Sequence, residues 1–218
     1  MSAAPIRPGP PAPGVLHKLW RETARPFRPR TWRKWLKLKP ARAITPDRGL
    51  EFKMQSGSVE PAGHELLADL VRRSRAFPGP IVEIGTLFGR TTTHLALHKA
   101  PHQKVITVDT YGWNPWGLSR ETYYELTSRI LYYLVQTGHV EQRRIDKAKF
   151  YATYDGPPPA LVFLDAIHTY EQTKKDIEWA RAAGAALIAG HDYSSKFPGV
   201  VRAVDEFGGF FAIVTVRG

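Results

Sequence analysis

Four short apolar runs, at residues 81–85, 104–109, 160–165 and 185–189, each lead into an acidic residue, and segments of helical spacing lie between them. Strands that alternate with helices build a parallel sheet covered on both faces. In such sheets ligands collect beyond the carboxyl ends of the strands. Glu83, Asp109, Asp165 and Asp192 all fall at those ends. The expected helices cover 64–77 (ending before Pro78), 90–99, 119–137 and 169–183, with a short one starting near Pro198. Two further strands are expected at 143–148 and 210–216. The fold class is therefore α/β, a Rossmann-like, doubly wound and mostly parallel sheet of six to seven strands, preceded by a basic N-terminal arm. One strand is expected after the last helix.

Composition separates this arm from the body. Residues 1–50 hold twelve Lys and Arg against two acids, whereas the remainder holds nineteen against eighteen, so nearly all of the net charge of +11 lies in one segment. The body thus lacks the basic excess that phosphate contacts demand, and no nucleic-acid partner is expected. Residues 1–50 read as a Pro- and Trp-rich arm, disordered over 1–14, and 51–218 as the globular domain. In 15–42, Trp20, Trp32 and Trp35 stand among cations, and Pro26, Pro29 and Pro40 limit any helix to short pieces. Docking on its own domain or a second subunit, peripheral contact with an anionic membrane surface, nucleic-acid binding and a solvated tail all compete for that segment. The chain has no cysteine, which removes disulfides, thiolate metal sites and cysteine nucleophiles. No apolar run nears the ~20 residues of a membrane span, and no signal peptide is visible, so a cytoplasmic location, peripheral to the inner membrane surface if the arm binds lipid, is expected.

Two constellations carry chemistry. In Glu83-Ile-Gly85-Thr86-Leu-Phe-Gly89-Arg90-Thr91 a strand enters a glycine-bearing turn and then a helix, whose first N–H groups would face a ligand. Gly85 and Gly89 would let the backbone approach that ligand closely. Their spacing of four departs from G-x-G-x-x-G, which argues for a ligand without a pyrophosphate. The alternative is that they only tighten the turn. Asp109 is placed to accept hydrogen bonds from two ribose hydroxyls. The second constellation joins Asp165-Ala-Ile-His168-Thr-Tyr170 to Gly190-His191-Asp192-Tyr193, bringing two carboxylates and two imidazoles to one crevice. His168 is a candidate general base and Asp165 its catalytic neighbour, the alternative being a packed His. Asp165 and Asp192 offer oxygen ligands suited to Mg2+, and His191 suits that ion poorly. Tyr170 and Tyr193 either wall the pocket or act on substrate. The segment Tyr111-Gly-Trp113-Asn-Pro-Trp116 either covers the cofactor or acceptor or packs as a lid.

The first constellation resembles the opening motif of class I S-adenosylmethionine-dependent methyltransferases. The second, with Pro198-Gly-Val-Val-Arg-Ala-Val-Asp-Glu-Phe207, resembles the methyltransferase-24 group, related to macrolide sugar O-methyltransferases and cephalosporin-hydroxylase-type proteins. The resemblance spans about 60–210. It implies S-adenosylmethionine as cofactor, held by Glu83, Gly85, Thr86, Gly89, Thr91, Asp109 and Asp165. It implies O-methylation of a hydroxyl on a sugar or small natural product, with His168 as base and magnesium on Asp165 and Asp192. Those metal enzymes carry an acid where this chain has His191. Partners are then a small-molecule or glycan acceptor, with a homo-oligomer as an option for the arm. A non-methylating hydroxylase-associated protein or a scaffold on the same fold, acting through its arm, is the rival reading.

Overall fold

The computed structural model describes residues 59, 61–113, 117–208 and 212–213. The arm, and with it every reading of residues 1–50, lies outside them. In chain order the elements are α1 (Pro61–Ser74), β1 (Ile81–Ile84), α2 (Arg90–His98), β2 (Val105–Asp109), α3 (Arg120–Gln136), β3 (Val140–Arg144), α4 (Lys147–Thr153), β4 (Leu161–Leu164), α5 (Tyr170–Ala182), β5 (Ile188–Gly190), α6 (Pro198–Glu206) and β6 (Ala212–Ile213). The strands pair in parallel in the order β3-β2-β1-β4-β5-β6. The architecture is Rossmann-like α/β, as the alternation of apolar runs and helical segments implied. Among the described residues, no helix is long and apolar enough to cross a membrane.

Side chains of successive strand residues point to opposite faces, and both faces are covered. On one face Ile81, Val105, Val140, Leu161 and Phe163 pack against Leu67 and Val71 of α1, Leu95 of α2 and Leu131 of α3. On the other, Val82, Ile84, Val108 and Val162 pack against Phe150 of α4 and Ala180 of α5. A third, aromatic cluster of Phe88, Tyr111 and Tyr123 lies outside these two. There the Tyr111 and Tyr123 rings meet edge-on with centroids 5.3 Å apart. Gln142 Nε2 donates to the Tyr111 hydroxyl at 2.7 Å, which satisfies the buried phenol.

The helix expected at 64–77 lies at Pro61–Ser74, and two strands differ from the sequence expectation for physical reasons. The strand expected at 143–148 is β3 at Val140–Arg144, and residues 147–153 form the helix α4. Asp146 ends the extended stretch: its Oδ1 accepts from the N–H groups of Ala148 (2.9 Å) and Lys149 (3.3 Å), an N-cap that starts a helix. The strand expected at 185–189 is shorter and later, at Ile188–Gly190. Gly184, at φ 73, closes α5, and its N–H bonds back to Arg181 O. Of the expected final strand at 210–216, Ala212 and Ile213 lie within the described residues and pair with β5.

Candidate functional site

The sheet order reverses between β1 and β4, so the loops that follow these neighbouring strands diverge and leave a crevice. A cavity of about 1060 Å³ opens there. Gly85, Asp109, Asp165, His168, His191 and Asp192 all line it. It is roughly at the upper end of the size usual for small-molecule sites, enough for a nucleoside-sized ligand and a second molecule. The three non-glycine residues with left-handed backbone among those described are Leu87 (φ 50), Tyr111 (φ 56) and Asp192 (φ 61). Each sits in a loop leaving a strand at this rim, and such strain, about 1–3 kcal/mol per residue, gathers where a site imposes its geometry.

Gly85 (φ 104) is required by the protein's own backbone. A Cβ there would stand 1.9 Å from the carbonyl oxygen of Asp165. At Gly89 (φ 79) it would meet the side chain of Leu131 at 2.8 Å. Both glycines therefore admit close internal packing where a close approach of ligand was expected. Gly89 and Thr91 shape the start of α2 without lining the cavity, whereas Arg90 does line it, with a buried Nη1 that has no hydrogen-bond partner.

Glu83 alternates onto the face of the sheet covered by α1, α2 and α3, and it is wholly enclosed beneath the cavity. Its Oε2 accepts from Thr92 Oγ1 (2.5 Å) and Thr107 Oγ1 (2.6 Å), and Oε1 has no partner. Thr86 Oγ1 extends the chain to Thr107 Oγ1 at 2.7 Å. Burial pushes the Glu83 carboxyl up to about 8, although the Thr107 and Thr92 hydroxyls oppose the shift.

Asp109 is tied to the turn after β1. Oδ2 accepts from the N–H groups of Thr86 (2.9 Å) and Leu87 (3.2 Å), and Oδ1 accepts from Tyr111 N–H (2.7 Å). The Thr110 backbone N–H also supports this carboxylate, and Asp109 lines the cavity. Burial raises the pKa of Asp109 despite these bonds.

At the other end of the cavity His168 Nε2 lies 3.0 Å from Asp192 Oδ2 and 3.6 Å from Asp165 Oδ1. His191 Nδ1 lies 3.3 Å and 3.6 Å from the same two oxygens. Asp165 and then Asp192 push His168 up to about 9. Burial opposes charge on His191, but Asp165 and Asp192 outweigh it and push the ring up to about 10. For Asp192 burial is likewise outweighed, here by His168 and His191, which hold its carboxyl well below the usual range. The donor chemistry fits magnesium poorly, since half of the converging atoms are imidazole nitrogens and that ion selects oxygen.

A family described as a methyltransferase domain matches residues 82–193. The chain belongs to this methyltransferase family. No curated protein matches it. Solved structures share the methyltransferase fold at low identity. The O-methyltransferase TomG from Streptomyces achromogenes, involved in tomaymycin synthesis and in complex with SAM, is 20% identical over 72% of each chain, with a TM-score of 0.54. An O-methyltransferase from Bacillus cereus in complex with SAH is 19% identical over 78% of this chain and 80% of its own, with a TM-score of 0.54. CalS11, a TDP-rhamnose 3'-O-methyltransferase of calicheamicin biosynthesis, is 17% identical over 91% and 87%, with a TM-score of 0.50.

Some residues of the methyltransferase serve other ends than the sequence suggested. Tyr170 and Tyr193 do not line the cavity. Tyr170 donates to Glu206 Oε2 at 2.6 Å and Tyr193 to Asp205 Oδ1 at 2.7 Å, so both hold α6. Tyr111 is buried in the aromatic cluster, whereas Gly112 and the exposed Trp113 reach the cavity; residues 114–116 lie outside those described. Sequence reasoning missed Asp146, Lys147 and Ala148, which bring the start of α4 to the cavity, as well as Arg90, Gln172 and Phe197. The N-cap signature of Asp146 was the available signal for the first three.

Proposed function

We propose that the protein transfers a methyl group from S-adenosylmethionine to a hydroxyl oxygen of a small molecule, a sugar or a natural product being the favoured acceptor. One observation carries this reading: in a chain of the methyltransferase family, Asp109 and the Asp165–His168 cluster face the same cavity across the β1/β4 reversal. The ligands of TomG and of the Bacillus enzyme support the cofactor, and the sugar substrate of CalS11 supports the acceptor class.

Bound, S-adenosylmethionine supplies an electrophilic methyl carbon on a sulfonium. Asp109, which lines the cavity, would accept from a ribose hydroxyl. Ile145, Val108 and Ala148 give an apolar wall for a flat base, and Asp146 stands beside it as an acceptor for an exocyclic amine. Gly85, with Thr86 and Thr91 behind it, shapes the end that takes the methionine part, where Glu83 braces β1, β2 and α2 from below. Holding oxygen, carbon and sulfur in line supplies most of the acceleration, about 7–11 kcal/mol. His168 takes the hydroxyl proton as the oxygen attacks, and Asp165 and Asp192 stabilise the imidazolium that forms. Since these acids push the ring up to about 9, only about one molecule in a hundred carries the basic form at pH 7.

Calorimetry with S-adenosylhomocysteine tests the cofactor, with mass spectrometry of a panel of hydroxylated acceptors testing the chemistry. Binding in the micromolar range is expected, weakened at least ten-fold in Asp109→Ala. Equal binding by wild type and variant, or no binding at all, refutes the reading. Cofactor binding with no methylated product across the panel favours a non-methylating protein on this scaffold.

A further inference from the structure

Among the described residues, the charged side chains that line the cavity are compensated within the protein, with one exception. Lys147 Nζ pairs with Asp176 at 2.6 Å, and His168 and His191 stand against Asp165 and Asp192 at 3.0–3.6 Å. Asp109 and Asp146 are held by backbone N–H groups. Arg90, the first residue of α2, lines the same cavity, and among the described residues its guanidinium enters no ion pair or hydrogen bond. Its Nη1 is buried without a partner. An arginine side chain stays charged and carries only donors, so a buried N–H with no acceptor is a desolvated cation that nothing in the chain offsets. The end of α2 that carries Arg90 supplies no acceptor either: its N-cap is Gly89, with no side-chain cap, and its first turn holds no acid.

We propose that Arg90 makes this cavity a carboxylate-binding site, in which a ligand's carboxylate supplies the missing counter-charge. A guanidinium presents its N–H groups as a planar fork that matches the two oxygens of a carboxylate. Phosphate is the weaker match, because phosphate sites at glycine turns rely on backbone N–H groups that are free to converge on the anion. Here those groups are engaged within the protein. The N–H groups of Thr86 and Leu87 donate to Asp109 Oδ2, that of Gly85 to Val108 O at 2.9 Å, and that of Gly89 to Thr86 O at 2.8 Å. Protein atoms also occupy the space that the two glycines open, since a Cβ at Gly85 would meet the Asp165 carbonyl and one at Gly89 the Leu131 side chain. What remains for an anion is the side chain of Arg90. Two molecules could bring the carboxylate, the cofactor through its amino-acid end or an acidic acceptor. The inference deepens the methyltransferase reading at the same cavity and rests on that reading for the identity of the cofactor.

The test is calorimetry on the full chain, comparing wild type with Arg90→Met and Arg90→Lys. S-adenosylhomocysteine is titrated beside methylthioadenosine, which keeps the nucleoside and the sulfur but lacks the amino-acid end. A para-hydroxybenzoate is titrated beside its uncharged amide, into the ligand-free chain and into the chain saturated with S-adenosylhomocysteine. With the cofactor as the source, Arg90→Met is expected to weaken S-adenosylhomocysteine about ten-fold or more and to leave methylthioadenosine within about two-fold. Arg90→Lys is expected to recover part of that loss. With the acceptor as the source, both nucleosides bind unchanged, and the wild type prefers the hydroxybenzoate to the amide, a preference that Arg90→Met abolishes. Equal weakening of both nucleosides marks Arg90 as structural and overturns the assignment. Unchanged S-adenosylhomocysteine affinity, with no preference for the charged benzoate, overturns it too. A wild type that binds neither nucleoside overturns the methyltransferase reading alone, and the hydroxybenzoate pair then decides the carboxylate site by itself.

Discussion

Glu83→Gln isolates the cost of an acid enclosed beneath the site. Glu83 is 0% exposed, and its carboxyl is raised from an ordinary 4.5 to about 8. Between those values the folded protein keeps a proton that the unfolded chain has released. The folded state then binds more protons, so stability falls as pH rises through this window. The slope is about 1.4 kcal/mol per pH unit, which accumulates to about 3 kcal/mol by pH 7 and about 4–5 kcal/mol above pH 8. Glutamine cannot ionise, keeps an oxygen for Thr92 and Thr107, and removes the slope. Urea unfolding of the ligand-free protein at pH 5, 6, 7 and 8 measures both chains. The variant is expected to gain on the wild type with each unit of pH, because His168 and His191 contribute equally to both and cancel in the difference. By thermal unfolding the same gain amounts to about 2–4 °C per kcal/mol. Parallel stability curves for the two proteins refute the reasoning, and they would mean that Glu83 is ionised in the fold.

Gly85→Ala forces a Cβ against the Asp165 carbonyl at φ 104; strain and overpacking together are expected to cost about 2–5 kcal/mol, read as a fall in the denaturation midpoint. Lys147→Met leaves Asp176 buried after removal of a 2.6 Å ion pair. A loss of about 3–5 kcal/mol in urea unfolding is expected, much of it recovered in the double variant with Asp176→Leu. His168→Ala is expected to retain S-adenosylhomocysteine binding in calorimetry and to lose about 10²–10⁴-fold in turnover. In the chelator-treated wild type, turnover is expected to rise with pH and level off near the His168 value of about 9, since the base works only once its proton is gone. A flat pH–rate profile removes His168 from that role.

The strands β1, β2 and β4 were legible because they are buried on both faces and so read as mostly apolar runs, interrupted by Glu83 in β1 and Thr107 in β2. Edge strand β3, Val-Glu-Gln-Arg-Arg, becomes more exposed along its length and carries no such signal. Ile145 and Ala148, apolar residues on either side of a helix cap, drew the expected strand downstream of its place. Helix α4, at seven residues, is too short to show a period. At the site, motif order carried Asp109, Asp165, His168, His191 and Asp192 to one cavity. Direction was not readable in the same way. Tyr170 and Tyr193 stand beside site residues in the chain, but their hydroxyls turn to acids on α6 that no local pattern announces. Alternation along β1 puts Glu83 on the face away from Ile84, a consequence of register that becomes visible only once the covering helices are known.

The backbone seam between Gly85 and Asp165 joins two loops that would otherwise be free to drift. The turn after β1 and the acid beside the two imidazoles touch through a gap too narrow for a single methyl. A shift in either loop must therefore be felt in the other. Remodelling the 165–169 loop would disturb the turn after β1 as well, whereas changes around Trp113 and Phe197 leave that joint intact.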